Sequence, residues 1–289
     1  DFMLFNHSCE LQNVLRQAQK GERAQETLTF GGVRYQLNAS PVESDGKRVG
    51  TVLTLFDVTE KLKNEQLRRE FTANVSHELK TPLHTIAGYA EMLASGMVQS
   101  DDVPKFSAQI LSDAKRMTAL VEDILRLSHL DEGAEDMKRE KTDLFELAKQ
   151  ATDGLRPYAE ESGVTLTLTG ESAPMTGVPQ LLSLMIRNLC DNAIKYNRRG
   201  GSVNVNIENR RSDVLLSVSD TGVGIPPEEQ SRVFERFYRV NKSRSKELGG
   251  TGLGLSIVKH AALLHGAKID LSSVPGEGTC ITVSFPIAK

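Results

Sequence analysis

"FTANVSHELKTPLHTIAGYAEML", Phe71 to Leu93, is the stretch on which the reading of the fold turns. Apolar residues recur at Leu67, Phe71, Val75, Leu79, Ile86, Ala90 and Leu93, in steps of three, four or seven, so one stripe runs down an amphipathic helix. His77 falls off that stripe. Two residues from both Val75 and Leu79, at about 100° per residue, it points nearly opposite the side to be buried. Pro82 follows five residues later in the same helix, where it removes a backbone hydrogen bond and bends the axis. The segment therefore displays a histidine beside Glu78 just ahead of an expected kink.

Working outward, the helical pattern begins at Asp57, with Glu60 three residues on in a capping-box relation. It continues to about Ser95, where Gly96 ends it, giving roughly 55 to 60 Å of rod. A second helix is predicted from Asp101, Asp102 and Pro104, with Phe106, Ile110, Ala114, Met117, Val121, Ile124 and Ser128 on one face. A short connection makes the two an antiparallel hairpin. One hairpin has too little to pack against, so two are expected to dimerise as a four-helix bundle. Upstream, "ETLTF" and "VRYQLNASPV" meet at Gly31-Gly32, and "RVGTVLTLFDV" follows the turn "ESDGK", a β-meander over residues 26–57. After "LDEGAED", residues 137–289 alternate helix and strand, with helices over 143–161, 178–195 and 253–265. The strands "SVNVNIE" and "DVLLSVSD", joined by "NRRSD", imply antiparallel pairing and thus an α/β sandwich of mixed sheet, not a doubly wound parallel one.

With 289 residues the chain suits two or three domains. No run approaches the roughly 18 apolar residues of a membrane span, which predicts a soluble chain, and "FMLF" lacks the regions of a signal peptide. The start at Asp1 suggests a piece of a longer protein. Lys and Arg number 35 against 38 Asp and Glu, without a basic block, which argues against nucleic acid as a partner. Cys9, Cys190 and Cys280 are scattered with no CxxC pair, as expected of reduced thiols in a cytosolic setting.

Three patterns in the last segment converge on a nucleotide. In "NLCDNAIKY", Asn188, Asn192 and Lys195 share one helix face; they read either as hydrogen-bonded structural amides or as carboxamide oxygens holding Mg²⁺ while Lys195 meets phosphate. In "SDTGVGIPP", Asp220 ends a strand and Gly222 and Gly224 follow at once, so the aspartate is either a turn former or an acceptor for a purine's exocyclic amine. In "LGGTGLGLSIVKHAALLHG", Gly249, Gly250, Gly252 and Gly254 run into a helix N-terminus, which presents amide N–H groups and partial positive charge to an anion. The spacing is neither the Rossmann fingerprint nor a Walker loop, and the HRD and DFG motifs of protein kinases are absent.

In this order the three resemble the N, G1 and G2 boxes of the GHKL ATP-binding superfamily. With "SHELKTPL" upstream, residues 71–289 resemble a sensor histidine kinase of the HisKA type. "FERFYRV", Phe234 to Val240, matches the F box, and "PGEGTCITVSFP" the closing strand. The resemblance implies a multidomain α+β fold: a partial PAS module at 1–58, a signalling helix at 59–70, a dimerising phosphotransfer hairpin at 71–136 and a GHKL-type α/β sandwich at 137–289. It implies that His77 attacks the γ-phosphoryl of ATP, that Glu78 holds or deprotonates its other ring nitrogen, and that Thr81 positions water for a phosphatase reaction. Asn192 and then Asn188 would hold Mg²⁺, with Lys195 and Tyr196 along the phosphate and sugar side. Asp220 would read adenine beside Gly222 and Gly224. Residues 226–250 would form a lid, mobile through "NKSRSKE", whose Arg239 meets the γ-phosphate; Gly250, Thr251, Gly252, Leu253 and Gly254 would line the phosphates. His84 is a weaker acceptor without a following glutamate, and His129 and His265 fit structural roles. The expected partners are a second copy of the chain and a response regulator receiver domain, with the full-length protein anchored to the membrane and these domains in the cytoplasm. The rival readings are a GHKL ATPase without phosphohistidine and a catalytically silent PAS-containing dimeric scaffold.

Overall fold

The computed structural model describes residues 8–44, 47–131, 137–240 and 250–287. "FMLF", the middle of the "ESDGK" turn, most of "LDEGAED", the "NKSRSKE" stretch and Gly249 lie outside the described residues. The chain forms two compact units, residues 1–77 and 78–289, whose boundary falls inside a helix.

The first unit begins with a helix that the sequence reading did not include, α1 (Cys9–Gln19). Ser8 caps it by accepting from the Leu11 amide, and Leu11, Val14 and Ala18 recur on one face. That face packs on an antiparallel sheet ordered β1 (Ala24–Phe30), β2 (Val33–Ser44) and β3 (Lys47–Asp57), burying Leu28, Leu37 and Ala39. Gly31 and Gly32 both take positive φ, 59° and 82°, as a two-residue hairpin between paired Phe30 and Val33 requires. The next helix, α2 (Thr59–Ala94), starts from an Asx turn in which the Asp57 carboxylate accepts from the Thr59 amide at 2.9 Å. The Thr59 hydroxyl accepts from the Arg34 amide at 2.8 Å, fastening the start of α2 to β2. The helix runs on through Pro82, its one buried side chain among the described residues, and Gly96 terminates it with φ 69°.

The second unit joins the rest of α2 to α3 (Val103–Asp131), with Tyr89 and Phe106 edge to face at 4.9 Å. Beyond it lies a five-stranded sheet ordered β5 (Thr165–Gly170), β7 (Ser202–Asn209), β8 (Asp213–Asp220), β10 (Gly278–Pro286) and β9 (Lys268–Val274). β5 and β7 are parallel and every other pairing is antiparallel, as the mixed-sheet reading requires. Alternate residues Val203, Val205 and Ile207, Val214, Leu216 and Val218, and Ile281, Val283 and Phe285 are buried, which defines one apolar face. Helices α4 (Leu144–Glu161), α5 (Pro179–Lys195) and α7 (Gly254–Leu264) cover it, with α5 in contact with both others. A two-stranded sheet of β4 (Glu140–Asp143) and β6 (Pro174–Gly177) also forms; at four residues each, the strands carry no readable alternation. A short α6 (Pro227–Gln230) follows β8. The expected face of α3 is half-buried at Phe106, Ile110, Met117 and Ile124, but its fully buried residues, Leu120, Leu127 and Leu130, lie on another face. That second face meets α7, where the His260 Nε2 lies 2.9 Å from the Leu130 carbonyl oxygen.

Candidate functional site

A cleft of about 440 Å³ opens in the second unit between α5, the ends of β8 and β10, the segment after α6, and the loop entering α7. Of the residues singled out by sequence, Asn188, Asn192, Lys195, Tyr196, Asp220, Gly224, Arg239, Gly250, Thr251, Gly252 and Gly254 line it. Gly222 and Leu253 do not. Leu253 is fully buried in the core, which leaves only its backbone to the loop.

Asn188 and Asn192 are one helical turn apart on α5, a poor place for asparagine on propensity alone. The Asn188 Nδ2 donates to the Leu184 carbonyl at 2.9 Å, which turns Oδ1 outward. A Cβ on Gly254 would stand 2.7 Å from that oxygen, so glycine at the first residue of α7 lets the helix N-terminus close on the asparagine pair. The side chains fit Mg²⁺ and phosphate in kind: the hard Asn188 Oδ1 faces a helix start whose amide groups carry partial positive charge, and Asn192, whose Nδ2 is 3.7 Å from the same Cβ position, brings a second carboxamide to the cleft. Lys195 extends to Asp191 at 2.6 Å, an acidic group of the lining that lies within "NLCDNAIKY" but is not one of the residues the sequence reading singled out.

Asp220 occupies the end of β8. Its Oδ1 accepts from the Gly222 amide at 2.8 Å and the Thr279 amide at 3.2 Å, which fixes the carboxylate across β8 and β10. Burial pushes its pKa up, opposed by those two N–H groups. A Cβ on Gly222 would meet the Tyr196 carbonyl oxygen at 2.4 Å, and one on Gly224, at φ 68°, the Val274 carbonyl oxygen at 2.1 Å. Both glycines are thus required by the chain's own backbone. Cys190, behind the site on α5, is fully buried, and burial raises its pKa to about 12.

From Gln230 to Arg239 the chain is tied down by specific contacts. Gln230 donates to the Ile225 and Ser273 carbonyls, and Arg232 stacks 4.3 Å above the Tyr238 ring. Phe237 has φ 63° and its amide donates to the Gly252 carbonyl at 2.8 Å, so a strained turn ties the "FERFYRV" segment to the glycine loop. Arg239 is only 8% exposed and its Nη2 donates to Glu78 Oε2 at 3.0 Å, so it points to a carboxylate of α2. The Arg116 Nη2 reaches the same oxygen at 3.3 Å from α3. Sequence gave no sign of Arg116, or of Ala119, Asp123 and Arg126, by which α3 also lines the cleft.

On α2 itself, His77 is exposed and Glu78 and Thr81 are half-buried. His84 is exposed too, with its Nδ1 2.9 Å from the Lys80 carbonyl oxygen. His265 is structural as expected, bridging α7 to the start of α5.

Two known families match parts of the chain. Residues 67–133 match the family described as His Kinase A (phospho-acceptor) domain, and residues 177–289 that described as Histidine kinase-, DNA gyrase B-, and HSP90-like ATPase. The sensor histidine kinase WalK of Bacillus subtilis is 37% identical over 87% of this chain and 42% of its own length. The sensor-like histidine kinase SenX3 of Mycolicibacterium smegmatis is 36% identical over 84% of this chain and 64% of its own. The chain thus spans less than two thirds of either relative. The structure of full-length ShkA in complex with AMPPNP superposes with a TM-score of 0.56 at 26% identity, covering 78% of this chain and 46% of that one. The matches place a phospho-acceptor domain over the helical hairpin and, over the segment that carries most of the cleft, an ATPase domain of the kind that histidine kinases share with DNA gyrase B and HSP90. The chain belongs to the sensor histidine kinases of two-component systems.

Proposed function

We propose that this chain binds ATP in the cleft of its second unit, transfers the γ-phosphoryl group to His77, and passes it to an aspartate of a response regulator receiver domain. The observation that carries the reading is the convergence of the asparagine pair, the strand-end Asp220 and the N-terminus of α7 on one cleft, in a chain that also exposes His77 beside Glu78. Asp220 accepts from the adenine amine while its Oδ1 stays anchored to Gly222 and Thr279. Asn192, with Asn188, holds Mg²⁺, which supplies charge neutralisation at the phosphates. Gly250, Thr251, Gly252 and Gly254 face the phosphates from the helix start, and Lys195 and Arg239 exchange their carboxylate partners for phosphate oxygens.

The neutral imidazole of His77 forms the N–P bond as the bond from Pγ to the β,γ-bridging oxygen breaks and ADP departs; Glu78 takes the ring proton. Thr81 orients water to attack the regulator's aspartyl phosphate, whose P–O bond to the carboxylate breaks to release inorganic phosphate. Residues 1–58 are read as part of a PAS module, 59–70 as its signalling helix, 71–136 as the phosphotransfer hairpin and 137–289 as the catalytic domain. The parent protein is read as membrane-tethered with these domains in the cytoplasm, although no helix among the described residues is long and apolar enough to cross a membrane. The functional chain is a homodimer through the hairpin.

Incubation with γ-labelled ATP tests the central step. The label is expected on wild type as an acid-labile, alkali-stable adduct, and to fall by at least about a hundredfold in His77→Gln while AMPPNP binding persists. Wild type that binds AMPPNP yet stays unlabelled refutes the transfer. Label that survives in His77→Ala and disappears when His84 is also replaced moves the acceptor to His84.

A further inference from the structure

Asp123 takes no part in the chemistry just described, yet it lies in the lining of the cleft. Its side chain is 18% exposed, and its Oδ2 accepts from the Thr251 hydroxyl at 2.9 Å. That hydroxyl accepts in turn from the Leu253 amide at 3.3 Å, at the entrance to α7. A hydroxyl has a single proton. While Thr251 gives it to Asp123, it has none for a phosphate oxygen. Carboxylate and phosphate are both anionic oxygen acceptors: they seek the same donors and repel one another when close. The second hairpin carboxylate makes a parallel contact, since Glu78 occupies Arg239 at 3.0 Å. The surrounding charges are mixed. Arg126 lies 3.7 Å from Asp123 Oδ1 and Glu122 is its neighbour, while Lys195 acts on it from across the cleft.

Resting on the nucleotide reading above, we propose that Asp123 is a built-in competitor of the nucleotide's phosphates, a carboxylate that α3 presents to Thr251 where a phosphate oxygen would bond. Docking of α3 on the glycine loop and occupation of the cleft by a triphosphate then exclude one another. The coupling is reciprocal: nucleotide drives α3 off the loop, and α3 on the loop weakens nucleotide binding.

The whole chain tests this by calorimetric titration with AMPPNP and with adenosine, each with Mg²⁺ present. Asp123→Ala is expected to bind AMPPNP about tenfold more tightly than wild type, roughly 1.4 kcal/mol, and to bind adenosine, which has no phosphates, with unchanged affinity. Asp123→Asn keeps the shape and an acceptor but loses the charge; it should fall between them and carries the test if the alanine variant unfolds. Unchanged AMPPNP affinity in both variants overturns the competition. Equal tightening for adenosine overturns it as well, because the substitution would then merely have opened the cleft. Wild type that binds neither ligand fails the nucleotide reading itself, and the competition with it; wild type that binds AMPPNP keeps the two questions apart.

Discussion

Asp143 illustrates how much one side chain can hold. It caps α4 by accepting from the Phe145 amide at 2.9 Å, and it also accepts from the Ala173 amide at 3.0 Å and from the Ser172 hydroxyl, joining β4 to β6. Desolvation raises its pKa, but the bonds from Ser172, Ala173, Phe145 and Glu146 together outweigh it and hold the carboxyl below the ordinary 3.8. A carboxyl with a depressed folded pKa contributes stability that is present above 3.8 and lost as pH falls through the lower, folded value. Asp143→Ala should therefore cost about 0.5–2 kcal/mol near neutrality, the usual range for a lost N-cap. Urea denaturation of both proteins at pH 7 and near pH 3 should find the gap narrowing in acid. At this scale much was legible beforehand: exposed His77 follows from helical phase, and the shared face of Asn188, Asn192 and Lys195 from their spacing. The cap was not, because β4 and β6 are too short to declare themselves.

Among the elements, α7 depends on His265 at its end. The ring Nδ1–H donates to the Ala261 carbonyl at 2.7 Å, and Nε2 accepts from the Val178 amide at 2.9 Å, so the neutral tautomer links α7 to the start of α5. Burial lowers its pKa, opposed by the Ala261 bond and helped by the positive charge of Arg139. Here the folded pKa lies below the unfolded 6.5, so the stability it contributes is full above 6.5 and lost as pH falls through the folded value. Melting temperature is expected to drop between pH 6.5 and 5 in wild type and to drop less in His265→Gln; parallel curves would refute this. The elements themselves were largely readable, since alternation in β7, β8 and β10 and the 3.6-residue period of α2 and α5 are local patterns. The misses have local reasons too. α1 buries only Leu11, Val14 and Ala18 in a largely polar helix, and α3 uses a second face, through Leu120, Leu127 and Leu130, beside the expected one.

At the scale of the molecule, the hairpin leaves apolar side chains uncovered within a single chain. Leu111 and Leu125, two heptads apart on α3, are each 55% exposed, and Val121 and Met92 are exposed as well. A stripe of this kind fits a partner hairpin in a four-helix bundle. Paired Leu111→Glu and Leu125→Glu substitutions should convert a dimer into a monomer at micromolar concentration in sedimentation velocity, with the cleft still binding AMPPNP. A dimer that persists unchanged would assign association to another surface.

Local sequence, by itself, determined the extents of α2, α4, α5 and α7, the outward histidine, the sheet's alternation and the glycine loop ahead of α7, because each rests on φ/ψ preference and on short-range periods. It could not supply the partners of those side chains. Arg116 meets Glu78 across 38 residues, Thr251 meets Asp123 across 128, and Arg239 meets Glu78 across 161. Only the packing of α3 on α7, and of the "FERFYRV" segment on the glycine loop, brings them within bonding distance. No local period encodes such pairings, since they depend on which faces the buried core has already consumed.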